Sequence, residues 1–348
     1  MAQFFSVGDA NALLLPDGRQ YLARHTSSWD PGSADPAVAL YPHYQLTIRQ
    51  RSGFEATWSA PVSVGGEVVQ TYSVGGPRYR TATGAILAAD ALLVAGPVAL
   101  TGGYYTAAVV SHDGGATWPV ATLDEWVHGP AAQIGACAWN LSRHRFAYRY
   151  VDNRAVWAAV SASYLYCNGV PALPSVPGIV RDEACDPAVC ANLAGGWDVL
   201  FVADAELQHW HSDQVDGSAP WVMTHRASTT IQGLCGTQML QLADGRLVAV
   251  GGVQVNASFR GRSGDLVAFI GVPSSSTAAT WSGPITIGTA GSGYTGDLLS
   301  ATPTYGLGST DPYVLQLPDG SVEAGWVEGD GTVKAYRAAD PAGTWTAV

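Results

Sequence analysis

Residues 111–118 read SHDGGATW, a stretch too polar for a strand and too regularly spaced for an arbitrary loop. Ser and Asp side chains bond to nearby backbone groups and close compact turns. Glycine supplies positive φ, and a tryptophan carries a large apolar surface that anchors such a turn to a sheet. The apolar run YTAAVVS (105–111) precedes it and PVATL (119–123) follows. The stretch therefore predicts a turn between two strands, plugged back into the sheet by Trp118.

The same ending recurs along the chain, in ATWSAPVSV (56–64), ATWSGPITIG (279–288), GTWTAV (343–348) and, more weakly, APWVMTH (219–225). Trp58, Trp118, Trp221, Trp281 and Trp345 fall about 60 residues apart, except for one interval near two shortened periods; such a fixed period signals a repeat architecture. SASYLYCNGVPAL (161–173) stands where the missing copy belongs. A second signature keeps the same rhythm: LLLPDGRQYLA (13–23), LQLADGRLVAV (240–250) and LQLPDGSVEAGW (315–326). Each reads as a strand, an Asp-Gly turn with positive φ at both central residues, and a return strand. TGAILAADALLVAG (83–96), IGACAWNLSRHRFAYRY (134–150) and AVCANLAGGWDVLFVAD (188–204) read as equivalent pairs without the Asp-Gly.

Together the signatures give six copies of a four-strand unit, at 8–64, 78–123, 130–175, 183–225, 232–288 and 308–348. The fold class expected is all-β: a six-bladed β-propeller of four-stranded antiparallel blades, with residues 1–348 as a single domain. Radial repetition of this kind leaves only short, protected sheet edges.

Composition narrows the function. The chain has 348 residues, 47% of them hydrophobic and 13% charged, which provides for a large core. The formal charge is −11 and the only lysine is Lys334, which argues against nucleic-acid partners, since that affinity comes largely from Lys and Arg. No stretch approaches a membrane span, and ALLL (12–15) is too short for a signal-peptide core. A soluble chain without an export signal is the expectation. The five cysteines are odd in number; Cys185 and Cys190 are close enough to bridge, though buried thiols are the simpler reading. No second Cys/His pair completes a zinc pattern, so no metal and no cofactor is expected. His209 and His211 in HWHSD (209–213) share one face of a strand, either as metal ligands or, the favoured reading, as structural histidines.

Ser111-x-Asp113-x-Gly115-x-Thr117-Trp118 resembles the Asp-box, or BNR repeat, of sialidase-like propellers. RSGFEATW (51–58), SSSTAATW (274–281) and AADPAGTW (338–345) are degenerate copies. The resemblance spans nearly the whole chain and implies a fold rather than a chemistry, because Asp-boxes lie on the rim and are shared by non-enzymatic propellers. Sialidases open their first inner strand with an Arg-Ile-Pro motif; DANALLLPDG (9–18) has no arginine there. If the chain were nonetheless a sialidase-type exo-glycoside hydrolase, the resemblance would assign Asp30, Glu183 and Tyr305 as catalytic residues. An oxocarbenium-like transition state needs such an acid and nucleophile.

A propeller binds at its axis, on the face where the loops linking one blade's outer strand to the next blade's inner strand meet those between second and third strands. The first such loop (24–44) carries Trp29, Asp30 and His43; the second (95–105) ends in Tyr105; the third (148–155) holds Arg149 and Asp152; the fifth (253–265) holds Asn256, Arg260 and Arg262. Rings cover the apolar face of a sugar while carboxylate, amide and guanidinium groups take its hydroxyls. The expected function is a non-catalytic carbohydrate- or receptor-binding propeller, with a glycan or cell-surface receptor as partner. Phage virion or tail components, with other virion proteins as partners, suit the low lysine content and long loops. A purely structural assembly role is the remaining alternative.

Overall fold

Short apolar runs punctuated by Gly, Pro, Asp and Ser become strands, and among the described residues every regular element is one. The computed structural model describes residues 3–6, 11–14, 18–29, 43–68, 71–74, 78–80, 85–94, 104–111, 145–149, 154–161, 164–167, 170–171, 187–192, 194–203, 205–214, 220–254, 262–275, 278–289, 312–327 and 332–348. The chain divides into two compact units, residues 1–139 with 148–154, and residues 140–147 with 155–348.

The first unit holds two antiparallel sheets. Sheet A joins β1 (Gln3–Ser6), β2 (Asn11–Leu14), β3 (Gln20–Trp29), β4 (His43–Arg51) and β5 (Val62–Val68). β1 pairs with Thr26–Trp29 and β2 with Gln20–Ala23, so the two are halves of one interrupted first strand. Sheet B repeats this device: β6 (Thr71–Val74) and β7 (Arg78–Arg80) both pair with β8 (Ala85–Val94), whose other edge takes β9 (Tyr104–Ser111). The expected hairpin within 83–96 is thus a single strand. Ala-Ala-Asp offers no glycine to reverse the chain, and the register instead shifts between Ala88 and Ala91.

Sheet C runs β10 (Arg145–Arg149), β11 (Arg154–Ser161), β12 (Tyr164–Cys167) and β13 (Val170–Pro171). The remaining three sheets, all in the second unit, are regular four-strand meanders. Sheet D runs β14 (Ala188–Ala191), β15 (Trp197–Ala203), β16 (Glu206–Ser212) and β17 (Val222–Ser228). Sheet E runs β18 (Leu234–Gln241), β19 (Leu247–Gln254), β20 (Arg262–Pro273) and β21 (Ala279–Thr289). Sheet F runs β22 (Tyr313–Gln316), β23 (Val322–Val327), β24 (Val333–Ala338) and β25 (Thr346–Ala347).

Period-two alternation explains why sheet E is apolar throughout. Leu247 and Ala249 of β19, with Val267 and Phe269 of β20, join Leu200, Val202 and Leu207 of sheet D in one core. Val248, Val250, Leu266, Ala268 and Ile270 face the other way and meet Val314, Val322 and Trp326 of sheet F. A strand buried on both faces reads as a continuous apolar run, and each such side chain contributes about 1.5–3 kcal/mol.

The first-to-second-strand turns are one structure used three times. Gly245 N–H donates to Leu242 O at 2.9 Å and Leu242 N–H to Arg246 O at 2.7 Å; Gly320 with Leu317 and Gly195 with Asn192 do the same at 2.9 Å. Gly195, Gly245 and Gly320 have φ of 105°, 90° and 88°. Contrary to the expected two-residue turn, the residue before each glycine (Asp244, Asp319 and, in sheet D, Ala194) keeps negative φ, the pattern of a type I turn closed by a left-handed glycine.

The TW turns link third to fourth strands, as the sequence implies. In sheet F the Asp340 carboxylate accepts from Ala342 N–H at 3.0 Å, and Trp345 Nε1 donates to Pro341 O at 3.2 Å. In sheet A the Arg51 guanidinium lies 4.4 Å from the Trp58 ring and donates from Nε to Gln20 Oε1 at 2.8 Å. In sheet E the Trp281 ring covers its cross-strand partner Gly271, where a Cβ would approach the ring to 2.8 Å. Of the complete copy, Ser111 ends β9, while Asp113, Gly115, Thr117 and Trp118 lie outside the described residues.

Gly271→Ala forces the Trp281 indole off its strand. The urea midpoint is expected to fall by an amount equivalent to about 1–3 kcal/mol, as overpacking does, with an unchanged slope.

Candidate functional site

The second-to-third connections separate the two edges of each sheet. In sheets A, B and E residues 30–42, 95–103 and 255–261 fall between the second and third strands, while in sheets D, E and F the opposite edge is tied by short hydrogen-bonded turns. Trp29 ends β3 and His43 begins β4, with His43 paired to Ser28. Tyr105 pairs with Leu93 at the start of β9, and Arg262 pairs with Gln254 at the start of β20. The backbone thus sets Trp29, His43, Tyr105 and Arg262 at the same edge of their respective sheets. Arg149 ends β10, beside the connection to β11, which among the described residues joins the first and second strands of sheet C. Asp30, Asp152, Glu183, Asn256, Arg260 and Tyr305 lie outside the described residues.

The densest polar constellation among the described side chains is in sheet D. His209 and His211 of β16 share a face, and both reach the Asp198 carboxylate on β15. His209 Nε2 lies 3.0 Å and His211 Nδ1 2.9 Å from Asp198 Oδ1. Asn192 Nδ2 donates to Asp198 Oδ2 at 2.9 Å, and Asn192 Oδ1 accepts from Ala194 N–H at 2.7 Å. Asp198, His209 and His211 are 1%, 1% and 3% exposed. The His211 Nε2 lies 2.9 Å from Asp213 Oδ1. An imidazole facing carboxylate oxygens from both nitrogens donates from both, which makes it an imidazolium.

That cation lets a carboxylate stay ionised in the core. Burial alone would push Asp198 up, but hydrogen bonds and charge from His209 and His211 hold it at about 2. Burial likewise opposes the His211 charge, and the contacts with Asp198 and Asp213 outweigh it, raising its pKa. His209 completes the chain with Thr224, whose Oγ1 lies 2.6 Å from Nδ1 and also donates to the His209 carbonyl at 3.3 Å. The favoured reading of HWHSD as structural histidines matches this burial. Among the described residues no group of three or more His, Cys, Asp or Glu side chains is arranged to hold a metal ion. Cys190, the cross-strand partner of Asp198, is a free, buried thiol. Burial and the adjacent carboxylate push its pKa well up, away from the reactive thiolate.

A second buried carboxylate sits in sheet F, missed at sequence level. Glu323 accepts from Tyr313 Oη at 3.0 Å and from Arg337 Nε at 2.9 Å. A tyrosine paired with a glutamate is the nucleophile arrangement that the sialidase resemblance implies, but Tyr313 and Glu323 are both 0% exposed. The pair and Arg337 satisfy one another's polar groups inside the sheet. One signal was available. In the aligned turns Val248, Glu323 and Asp198 hold the same position, each three residues beyond its left-handed glycine, so both acids interrupt an apolar slot of the repeat.

Between sheets D and E, beside Asp198, lies a pocket of about 370 Å³ lined by Asp198 and His209 and by residues of three turns, among them Asn192 and Ala194, Ala243 and Leu247, and Pro273 and Ala278. It lies on the edge opposite the second-to-third-strand connections.

No known family profile matches the chain, and no curated protein matches it in sequence. Solved structures do match. Aleuria aurantia lectin, described as a six-bladed β-propeller with a novel fucose recognition mode, is 12% identical over 100% of this chain and 94% of its own, with a TM-score of 0.53. The BP39L lectin of Burkholderia pseudomallei is 16% identical over 99% of this chain and 85% of its own, TM-score 0.50. The NanB sialidase of Streptococcus pneumoniae is 11% identical over 92% of this chain and 66% of its own, TM-score 0.50. With the four-stranded antiparallel sheets, these likenesses show that the chain has the fold of a six-bladed β-propeller.

The buried charges set a stability window. Asp198, lowered in the folded state, stabilises above the ordinary carboxylate pKa and loses this as pH falls toward about 2. His211, raised, stabilises fully below its ordinary value and fades as pH rises through the folded one. Urea midpoints across pH are expected to peak between those limits, and Asp213→Asn to bring the alkaline decline to lower pH. Asp198→Asn, which leaves His211 without its buried counter-charge, is expected to cost about 3–5 kcal/mol.

Proposed function

We propose that the chain is a non-catalytic, carbohydrate-binding propeller. The observation that carries this reading is the asymmetry of the sheet edges. In sheets A, B and E the second-to-third edge carries longer connections, flanked or occupied by Trp29, Asp30, His43, Tyr105, Asn256, Arg260 and Arg262, and the reading adds Arg149 and Asp152 from the connection between β10 and β11. Rigid strands presenting aromatic and planar polar side chains on loops suit a sugar, whose hydroxyls and apolar face need both at once. The fold shared with two lectins supports the same reading. A single lysine and abundant small residues fit a tail or surface component of a virion, with a host glycan receptor and neighbouring virion proteins as partners.

A glycan array is expected to retain at least one ligand, with binding reduced ten-fold or more in Trp29→Ala and Arg262→Ala. A blank array would reject the carbohydrate reading and favour a structural assembly role. Hydrolysis of a fluorogenic sialoside that disappears in Asp30→Ala, Glu183→Ala or Tyr305→Phe would instead establish the glycoside-hydrolase alternative.

A further inference from the structure

The two seams beside sheet E rest on the same hairpin and are not filled alike. At the E–F seam Arg246 crosses from the hairpin of sheet E to Asp340 of sheet F at 2.7 Å, and Leu242 and Val248 fill the interior behind it. In the hairpin of sheet D those three positions are Gly196, Asn192 and Asp198. The crossing side chain is gone, and polar groups replace the apolar fill. The pocket of about 370 Å³ between D and E occupies this space.

Its floor is specific. A carboxylate offers about four acceptor positions, and Asp198 uses three, for His209, His211 and Asn192. The Asn192 amide has two hydrogens to donate and gives one to Asp198. The pocket is therefore floored by an acceptor beside a donor, with Leu247, Pro273 and Ala279 as apolar walls. One hydroxyl of a sugar ring would donate to the carboxylate while its neighbour accepts from the amide, the ring's C–H face lying on the wall. The surrounding charge disfavours an acidic ligand: Asp198 and Asp213 share the one His211, and Asp244 and Asp340 share the one Arg246, so negative charge is in excess at the pocket and its rim. An acidic sugar would bring its carboxylate against Asp198, and among the described lining residues no Lys or Arg stands to receive it.

We infer that the pocket between sheets D and E is a second binding site, taking a neutral pyranose at the sheet edge opposite the loop site. The inference rests on the carbohydrate-binding reading and specifies a separate location. Saturation-transfer NMR on the full chain, with galactose, mannose, fucose and N-acetylglucosamine as probes and sialic acid as the charged control, tests it. At least one neutral sugar is expected to receive saturation, and sialic acid none at this site. Ala278→Phe, which fills the pocket without removing any partner of Asp198, is expected to reduce the signal ten-fold or more, and Asn192→Leu to do likewise. These variants are compared in a Trp29→Ala/Arg262→Ala background, which removes the contribution of the loop site, so that the signal read there comes from the pocket. If Ala278→Phe does not fold, as judged by its thermal transition, Ala194→Tyr at the exposed rim replaces it. A signal that survives the pocket variants, or no transfer from any neutral sugar, overturns the inference. Array binding that persists in Ala278→Phe alongside such a result leaves the proposed function standing, whereas a blank array removes both.

Discussion

Burial on both faces is the constraint on which the second unit depends. A sheet flanked by other sheets has no wet side, so each side chain of its middle strands must be apolar or fully partnered. Sheet E meets the demand with Leu247, Val248, Ala249 and Val250 in sequence, successive residues serving opposite neighbours. The tryptophans at the third-to-fourth turns then close the sheet where its strands diverge: Trp281 over Gly271, and Trp345 tied to Pro341.

Polar residues inside such sheets are tolerated only as complete sets. Asp198 is admitted because two histidines and an asparagine surround it, and His211 because a second carboxylate at the surface shares its charge. Glu323 is admitted by Tyr313 and Arg337 in the same way. The two sets differ in what lies beside them. Glu323 is sealed by its own sheet, while Asp198 faces the space left by a hairpin that has glycine in place of arginine. A packing concession in one repeat thus becomes a chemically distinct surface.

The fold was largely legible because its signals are local and repeated. The Gly245 and Gly320 turns, the two-faced apolar strands and the TW turns each announce themselves within a few residues, and their period organises the rest. Reading Ala85–Val94 as two strands failed because hydrophobicity marks a strand without marking where it bends; the glycines that would decide it are absent. The candidate loop residues were chosen by type and position, and the backbone groups four of them at equivalent sheet edges. The Asp198 and Glu323 sets escaped notice because their members are joined across strands, where sequence separation hides contact. HWHSD was visible as a same-face pair, but its partner on β15 was not.

The short turn at Ala243 has one more implication. Its N–H is given not to its own hairpin but to Gln316 Oε1 of sheet F, at 2.8 Å, and the Val314 N–H is given in return to Gln238 Oε1 of sheet E, at 3.0 Å. Both amides therefore trade with deuterated solvent only when the two sheets part. Their isotope-exchange rates report the separation of neighbouring blades rather than fraying within either one, and an otherwise exposed loop becomes a built-in gauge of how firmly the repeats cohere.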